Sequence, residues 1–72
     1  MAKSNSVIRT VRRSKDLTQQ ELADLLNVSR VAVANWEGKL ATPSVHNMLR
    51  LNAYLDIPLD ELMNDYTNKE DK

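Results

Sequence analysis

The chain has no cysteine and no phenylalanine, one glycine, two prolines, one tryptophan and two tyrosines in 72 residues. Without thiols there is no disulfide and no cysteine-containing zinc site, the staples on which small secreted domains rely. No apolar run approaches the ~20 residues of a membrane span. The opening stretch Met1 to Ser6 is polar and has no signal-peptide core, so export is not expected. Scarce glycine, proline and aromatics beside abundant Leu, Ala, Gln, Asn and charged residues point to helices. A chain of this length makes one domain rather than two. It buries only roughly 60% of the surface its unfolded form exposes. Stability must therefore come from packed apolar side chains, aided by self-association.

Net charge is also absent: ten Lys+Arg balance ten Asp+Glu. The balance conceals a split. Up to Lys39 there are seven basic residues against four acidic ones, and beyond it three against six. A dipolar domain of this kind can face a polyanion with its first half, or simply carry two solvated faces.

Hydrophobic spacing and capping signals predict five helices. The first runs from about Asn5 to Lys15, with Val7, Ile8 and Val11 as its apolar stripe and Asp16 as its end. The second opens on a capping box, Thr18-Gln19-Gln20-Glu21, and turns Leu22, Ala23 and Leu26 inward. Asn27 suits a left-handed turn position, and Val28 returns to the core. Ser29 caps the third helix, whose inward residues are Val33 and Trp36 and whose stop is Gly38. The fourth spans about Ser44 to Leu55, with Val45, Met48, Leu49 and Leu55 at helical spacing. Asp56 and Pro58 break it, and Leu59, Leu62 and Met63 form a short fifth helix. Residues 1–64 read as one all-α domain, and 65–72 as a polar tail.

The second and third helices are joined by only Asn27-Val28-Ser29, too few residues for antiparallel packing, so they must cross steeply. With Val33 and Trp36 held in the core, the opposite face of the third helix shows Arg30, Val31, Ala34 and Asn35. This stripe has short side chains apart from Arg30 and carries no acid. It fits a major groove about 12 Å wide.

Leu17 to Gly38 (LTQQELADLLNVSRVAVANWEG) resembles the helix-turn-helix of the Cro/CI regulators, the lambda-repressor-like or XRE-type family. Pro43 to Leu51 and Ile57 to Met63 are similar to that family's fourth and fifth helices, and the likeness covers about Ile8 to Met63. The resemblance implies a compact five-helix DNA-binding domain and a small Cro-like transcriptional regulator, a repressor that binds operator DNA as a homodimer. It would work in the cytoplasm of a bacterial cell, whether host- or phage-encoded. It further implies that Gln19, at the start of the second helix, bonds a phosphate with help from the helix dipole. Ser29, Arg30, Val31 and Asn35 occupy base- and backbone-contacting positions. Arg30 would take guanine O6/N7 or a phosphate, Asn35 adenine N6/N7, and Val31 a thymine methyl. Arg12 matches a position that pairs internally with the residue matching Glu37. Arg9, Arg13, Lys15 and Lys39 are general phosphate candidates. The blander alternatives are a solvated Arg30 and an Asn35 that only caps locally.

The sequence departs from the family's pattern in places. Leu40 and Ala41 stand where the loop after the third helix usually carries Lys or Arg, and Leu25 where a charged residue is more common. Asn52 and Tyr54 replace small apolar residues, and Asn27 and Asp56 replace glycines. Lost loop cations lower nonspecific affinity for DNA. Exposed Leu25 and Leu40 could instead meet a protein. The alternative function is thus a phage-type antirepressor or repression modulator that grips a partner repressor protein. The homodimer contact is expected on the fifth helix and its flanks: Ile57, Pro58, Leu59, Met63 and Tyr66.

No catalytic constellation is present. There is one histidine, His46, among polar residues, and no glycine-rich phosphate loop or paired-histidine metal motif, so neither an enzyme nor a metal or other cofactor is expected. Asp60 and Glu61 are adjacent carboxylates at a helix start, which the helix dipole explains.

Overall fold

A computed structural model describes residues 6–67. Five helices follow one another: α1 Val7–Ser14, α2 Gln19–Leu26, α3 Arg30–Glu37, α4 Val45–Leu55 and α5 Leu59–Thr67. Among the described residues there is no strand, in keeping with the all-α expectation.

Each of the first four helices begins on a hydroxyl. Ser6, Thr18, Ser29 and Ser44 accept the backbone N–H of Arg9, Glu21, Ala32 and Asn47. These bonds satisfy donors that a helix start leaves without an internal partner. The capping box is complete, because the Glu21 carboxylate also accepts the Thr18 N–H at 2.8 Å. Asn5, expected inside the first helix, lies outside the described residues.

Helices α1, α2 and α3 end in the same way, on a residue with left-handed backbone: Asp16 (φ 58°), Asn27 (φ 59°) and Lys39 (φ 61°). The N–H of the following residue returns to the carbonyl five positions back, in Leu17→Arg12, Val28→Ala23 and Leu40→Asn35. At the end of α3 the cap and the left-handed residue are different residues. Gly38 is right-handed (φ −83°), and the left-handed position falls on Lys39. The helix itself ends at Glu37 with Gly38 as its cap, where the sequence placed the stop.

The core draws on every helix: Ile8, Leu22, Ala23, Leu26, Val33, Trp36, Met48, Leu51, Leu55 and Leu62, joined by Ile57 from the α4–α5 link. α2 and α3 form the most extensive pairing. Ala23 of α2 is fully buried.

Four expectations need correction. On α4 the inward stripe is Met48, Leu51 and Leu55, whereas Val45 and Leu49 are 75% and 50% exposed. Two apolar registers compete on that helix, and the one that includes Leu51 wins because its three members share one face at three- and four-residue steps. Ile57 is 1% exposed and belongs to the core, so it is not available to a partner. α5 continues to Thr67, three residues into the stretch read as tail. It does so because Leu59, Leu62 and Tyr66 share a face and Tyr66 packs against the core. The half-buried Tyr66 donates its hydroxyl to the Trp36 carbonyl at 2.6 Å, which fastens the last turn of α5 to α3. Burial, followed by the nearby Asp65 and Glu37 charges, raises its phenol well above the ordinary value near 10.

Candidate nucleic-acid interface

The outward face of α3 is set by what its inward face must bury. Val33 and Trp36 are in the core, which leaves Arg30 and Val31 exposed and Ala34 and Asn35 half-buried on the other side. Val31 is 57% exposed, an apolar surface on this face. Among the described residues, neither the Arg30 guanidinium nor the Asn35 side-chain amide makes a hydrogen bond within the protein. Asn35 uses its backbone carbonyl instead, accepting from Leu40 and Ala41 at 2.8 and 3.3 Å. Ser29 spends one lone pair on capping and keeps its O–H exposed.

Behind this stripe lies a buried charge cluster. The Glu37 side chain has no solvent exposure and accepts four N–H groups. Its Oε2 takes Arg12 Nε at 2.6 Å, and its Oε1 takes Arg12 Nη2 at 3.1 Å. The same Oε1 also takes Gln19 Nε2 at 3.1 Å and Arg9 Nε at 3.3 Å. Arg12 completes the arrangement with Nη1 on the Leu17 carbonyl at 2.6 Å. Burial alone would raise the Glu37 pKa. The hydrogen bonds from Arg12, Gln19 and Arg9, with the Arg12 charge, reverse that and hold the carboxyl below the usual carboxylate range. The cluster ties α1, the first residue of α2 and the last residue of α3 into one piece.

The Arg12–Glu37 pair matches its expectation. Arg9 and Gln19, read as phosphate candidates, are both drawn onto Glu37, a link that sequence spacing did not disclose. Gln19 retains its second amide hydrogen and sits half-buried at the α2 N-terminus. Arg13 and Lys15 are exposed and, among the described residues, have no ion-pair partner. Lys39 is paired: its Nζ lies 2.9 Å from Asp65 Oδ1. Of the residues assigned to a protein contact, Leu25, Leu40, Leu59 and Met63 are exposed, with Leu40 the most open at 81%. Leu25 lies on α2 and Leu40 in the loop after α3. His46 is exposed at the start of α4. No helix among the described residues is long and apolar enough to cross a membrane.

The helix-turn-helix family model matches residues 8–62. Over 59 residues, 82% of this chain, the sequence is 32% identical to the HTH-type transcriptional activator BcrR of Enterococcus faecalis, and covers 29% of that protein. Over 63 residues, 88% of this chain, it is 30% identical to the uncharacterized HTH-type transcriptional regulator YqaE of Bacillus subtilis, and covers 54% of that protein. The chain thus spans about half or less of the length of these relatives. With a match that takes in all of α2 to α4 and every buried core residue from Ile8 to Leu62, the chain belongs to the helix-turn-helix family of the XRE, Cro/CI-like type.

Proposed function

We propose that this chain is a DNA-binding transcription regulator that lays α3 in the major groove and acts as a homodimer. The observation that carries the reading is the uncommitted, acid-free stripe of Arg30, Val31 and Asn35 on a helix anchored by Val33 and Trp36. Arg30 presents a fork that matches guanine O6 and N7, and Asn35 an amide that matches adenine N6 and N7. Val31 packs on a thymine methyl. Each bidentate pair discriminates by roughly 1–3 kcal/mol. Ser29, the second amide hydrogen of Gln19 and the exposed Arg13 grip the phosphates on either side. One domain reads only a few base pairs, so useful specificity needs two half-sites about 34–36 Å apart. Leu59 and Met63, exposed on α5 beside Pro58, are the residues we assign to the dimer contact. The same docking serves activation or repression, and one relative is named an activator.

Selection from a random-sequence duplex library tests the reading. It expects an enriched motif with two-fold symmetry, lost with Arg30→Ala and Asn35→Ala. A selection that enriches nothing sinks it.

A second reading is favoured by the exposed Leu25 and Leu40 and by the pairing of Lys39: a modulator that binds a partner repressor. It expects tight association with a regulator from the native host and little duplex binding by the chain alone. Recovery of no regulator in a pull-down from that host counts against it.

A further inference from the structure

Lys39 is the only cation in the loop between α3 and α4, since Leu40 to Ser44 supply none. The loop folds back on the Asn35 carbonyl through the Leu40 and Ala41 N–H groups, so Lys39 sits at the Asn35 end of the α3 stripe. Its ammonium nonetheless reaches α5, where it meets Asp65 Oδ1 at 2.9 Å. The other carboxylate oxygen of Asp65 accepts the Val7 N–H at 3.1 Å, a donor that the start of α1 otherwise leaves without a partner. Asp65 is thereby fixed: its side chain is 10% exposed, against 33% for Lys39, whose flexible stem is the part free to swing.

A carboxylate oxygen held at this distance is the same kind of acceptor as a phosphate oxygen. We propose that Asp65 is an internal stand-in for a DNA phosphate, withholding Lys39 from the duplex and setting nonspecific affinity below what the chain's cations allow. Each lysine–phosphate contact releases condensed counterions and adds to the salt dependence of binding. A lysine already paired within the protein contributes nothing to that dependence until it exchanges partners. The proposal rests on the DNA-binding reading and explains how a member of this family with neutral net charge limits its own attraction to DNA.

The test measures the binding of a fluorescent mixed-sequence duplex over a salt series for the wild-type chain, D65N, K39A, D65N/K39A and E61Q. Asn at position 65 still accepts the Val7 N–H, and a melting curve checks that D65N is folded. D65N should bind several-fold more tightly, with a plot of log affinity against log salt steeper by about 0.9. D65N/K39A should return to the wild-type slope, and K39A alone should share it. E61Q removes an exposed charge from the same helix without freeing a lysine and should leave the slope unchanged. An unchanged slope in D65N, or a steeper one in E61Q as well, overturns the proposal. So does a shallower slope in K39A, a result that needs no variant at position 65. If the wild-type chain binds and D65N matches it, only this proposal falls; if no variant binds at low salt, the DNA-binding reading falls with it.

Discussion

Arg12 and Glu37 meet between α1 and α3 with Nε and Oε2 2.6 Å apart, the Glu37 side chain shielded completely from water and the Arg12 side chain 12% exposed. The pair fixes the end of the recognition helix to α1, so the geometry of the outward stripe depends on a contact that cannot itself reach a ligand.

Removing one partner of such a pair leaves the other buried and uncompensated, at a cost of about 3–5 kcal/mol. Glu37→Gln should lower unfolding free energy in urea by an amount near the lower end of that range, since glutamine keeps one of the two acceptor oxygens. A loss below about 1 kcal/mol, the worth of one ordinary hydrogen bond, would show that the cluster is not stabilising.

The depressed pKa of Glu37 in the folded chain gives the pH dependence a definite sign. The stabilisation is fully present above the ordinary glutamate value of about 4.3 and is lost as pH falls through the lower folded value. Melting temperature should therefore fall as the solution is acidified below about pH 4. The fall should be smaller in Glu37→Gln, which has no proton to take up. Equal acid slopes in the two chains would contradict this.

Gly38 and Asp56 should both gain stability from exchanges of opposite sense, glycine to alanine at the first and aspartate to glycine at the second. Gly38 is right-handed, and a Cβ built there stands 3.4 Å from the Ala34 carbonyl oxygen, an ordinary contact. Gly38→Ala should stabilise by about 0.4–1 kcal/mol by narrowing the unfolded ensemble. Asp56 is left-handed (φ 58°, ψ 33°) and exposed, so Asp56→Gly should also stabilise, by about 1 kcal/mol, through relief of backbone strain. A gain of that size raises the melting temperature by roughly 4–8 °C in a domain of this size. If Gly38→Ala instead destabilises, Gly38 is needed for a reason other than conformation.

Tyr66→Phe removes the donor to the Trp36 carbonyl while keeping the ring in place. It should cost about 1 kcal/mol, measured by urea unfolding. No change would mean that the last turn of α5 is not fastened to the core.

The helix-turn-helix was legible in the sequence because its boundaries are local: Thr18 with Glu21, Asn27, and Ser29 each act within three or four residues. The outward stripe followed from it, because placing Val33 and Trp36 inside fixes what faces out. The α4 face was not legible, since Val45 and Leu49 compete with Leu51 for the core and only the neighbouring helices decide. The roles of Ile57, Asp65 and Lys39 were hidden for a related reason. An apolar residue beside Pro58 reads equally well as surface or core, and the Lys39–Asp65 and Val7–Asp65 bonds span 26 and 58 residues, beyond any local pattern. The likeness to Cro/CI regulators gave the Arg12–Glu37 pair but not the capture of Gln19 and Arg9 by the same carboxylate.

The central claim is that the exposed face of α3 enters the major groove. Amide chemical shifts of the labelled chain, followed while a selected duplex is added, test it most directly. The account predicts the largest shifts at Ser29, Arg30, Val31 and Asn35, with Gln19 and Arg13 moving to a lesser degree. Shifts confined to Leu25, Leu40 or the α5 residues Leu59 and Met63, with α3 unmoved, would contradict it.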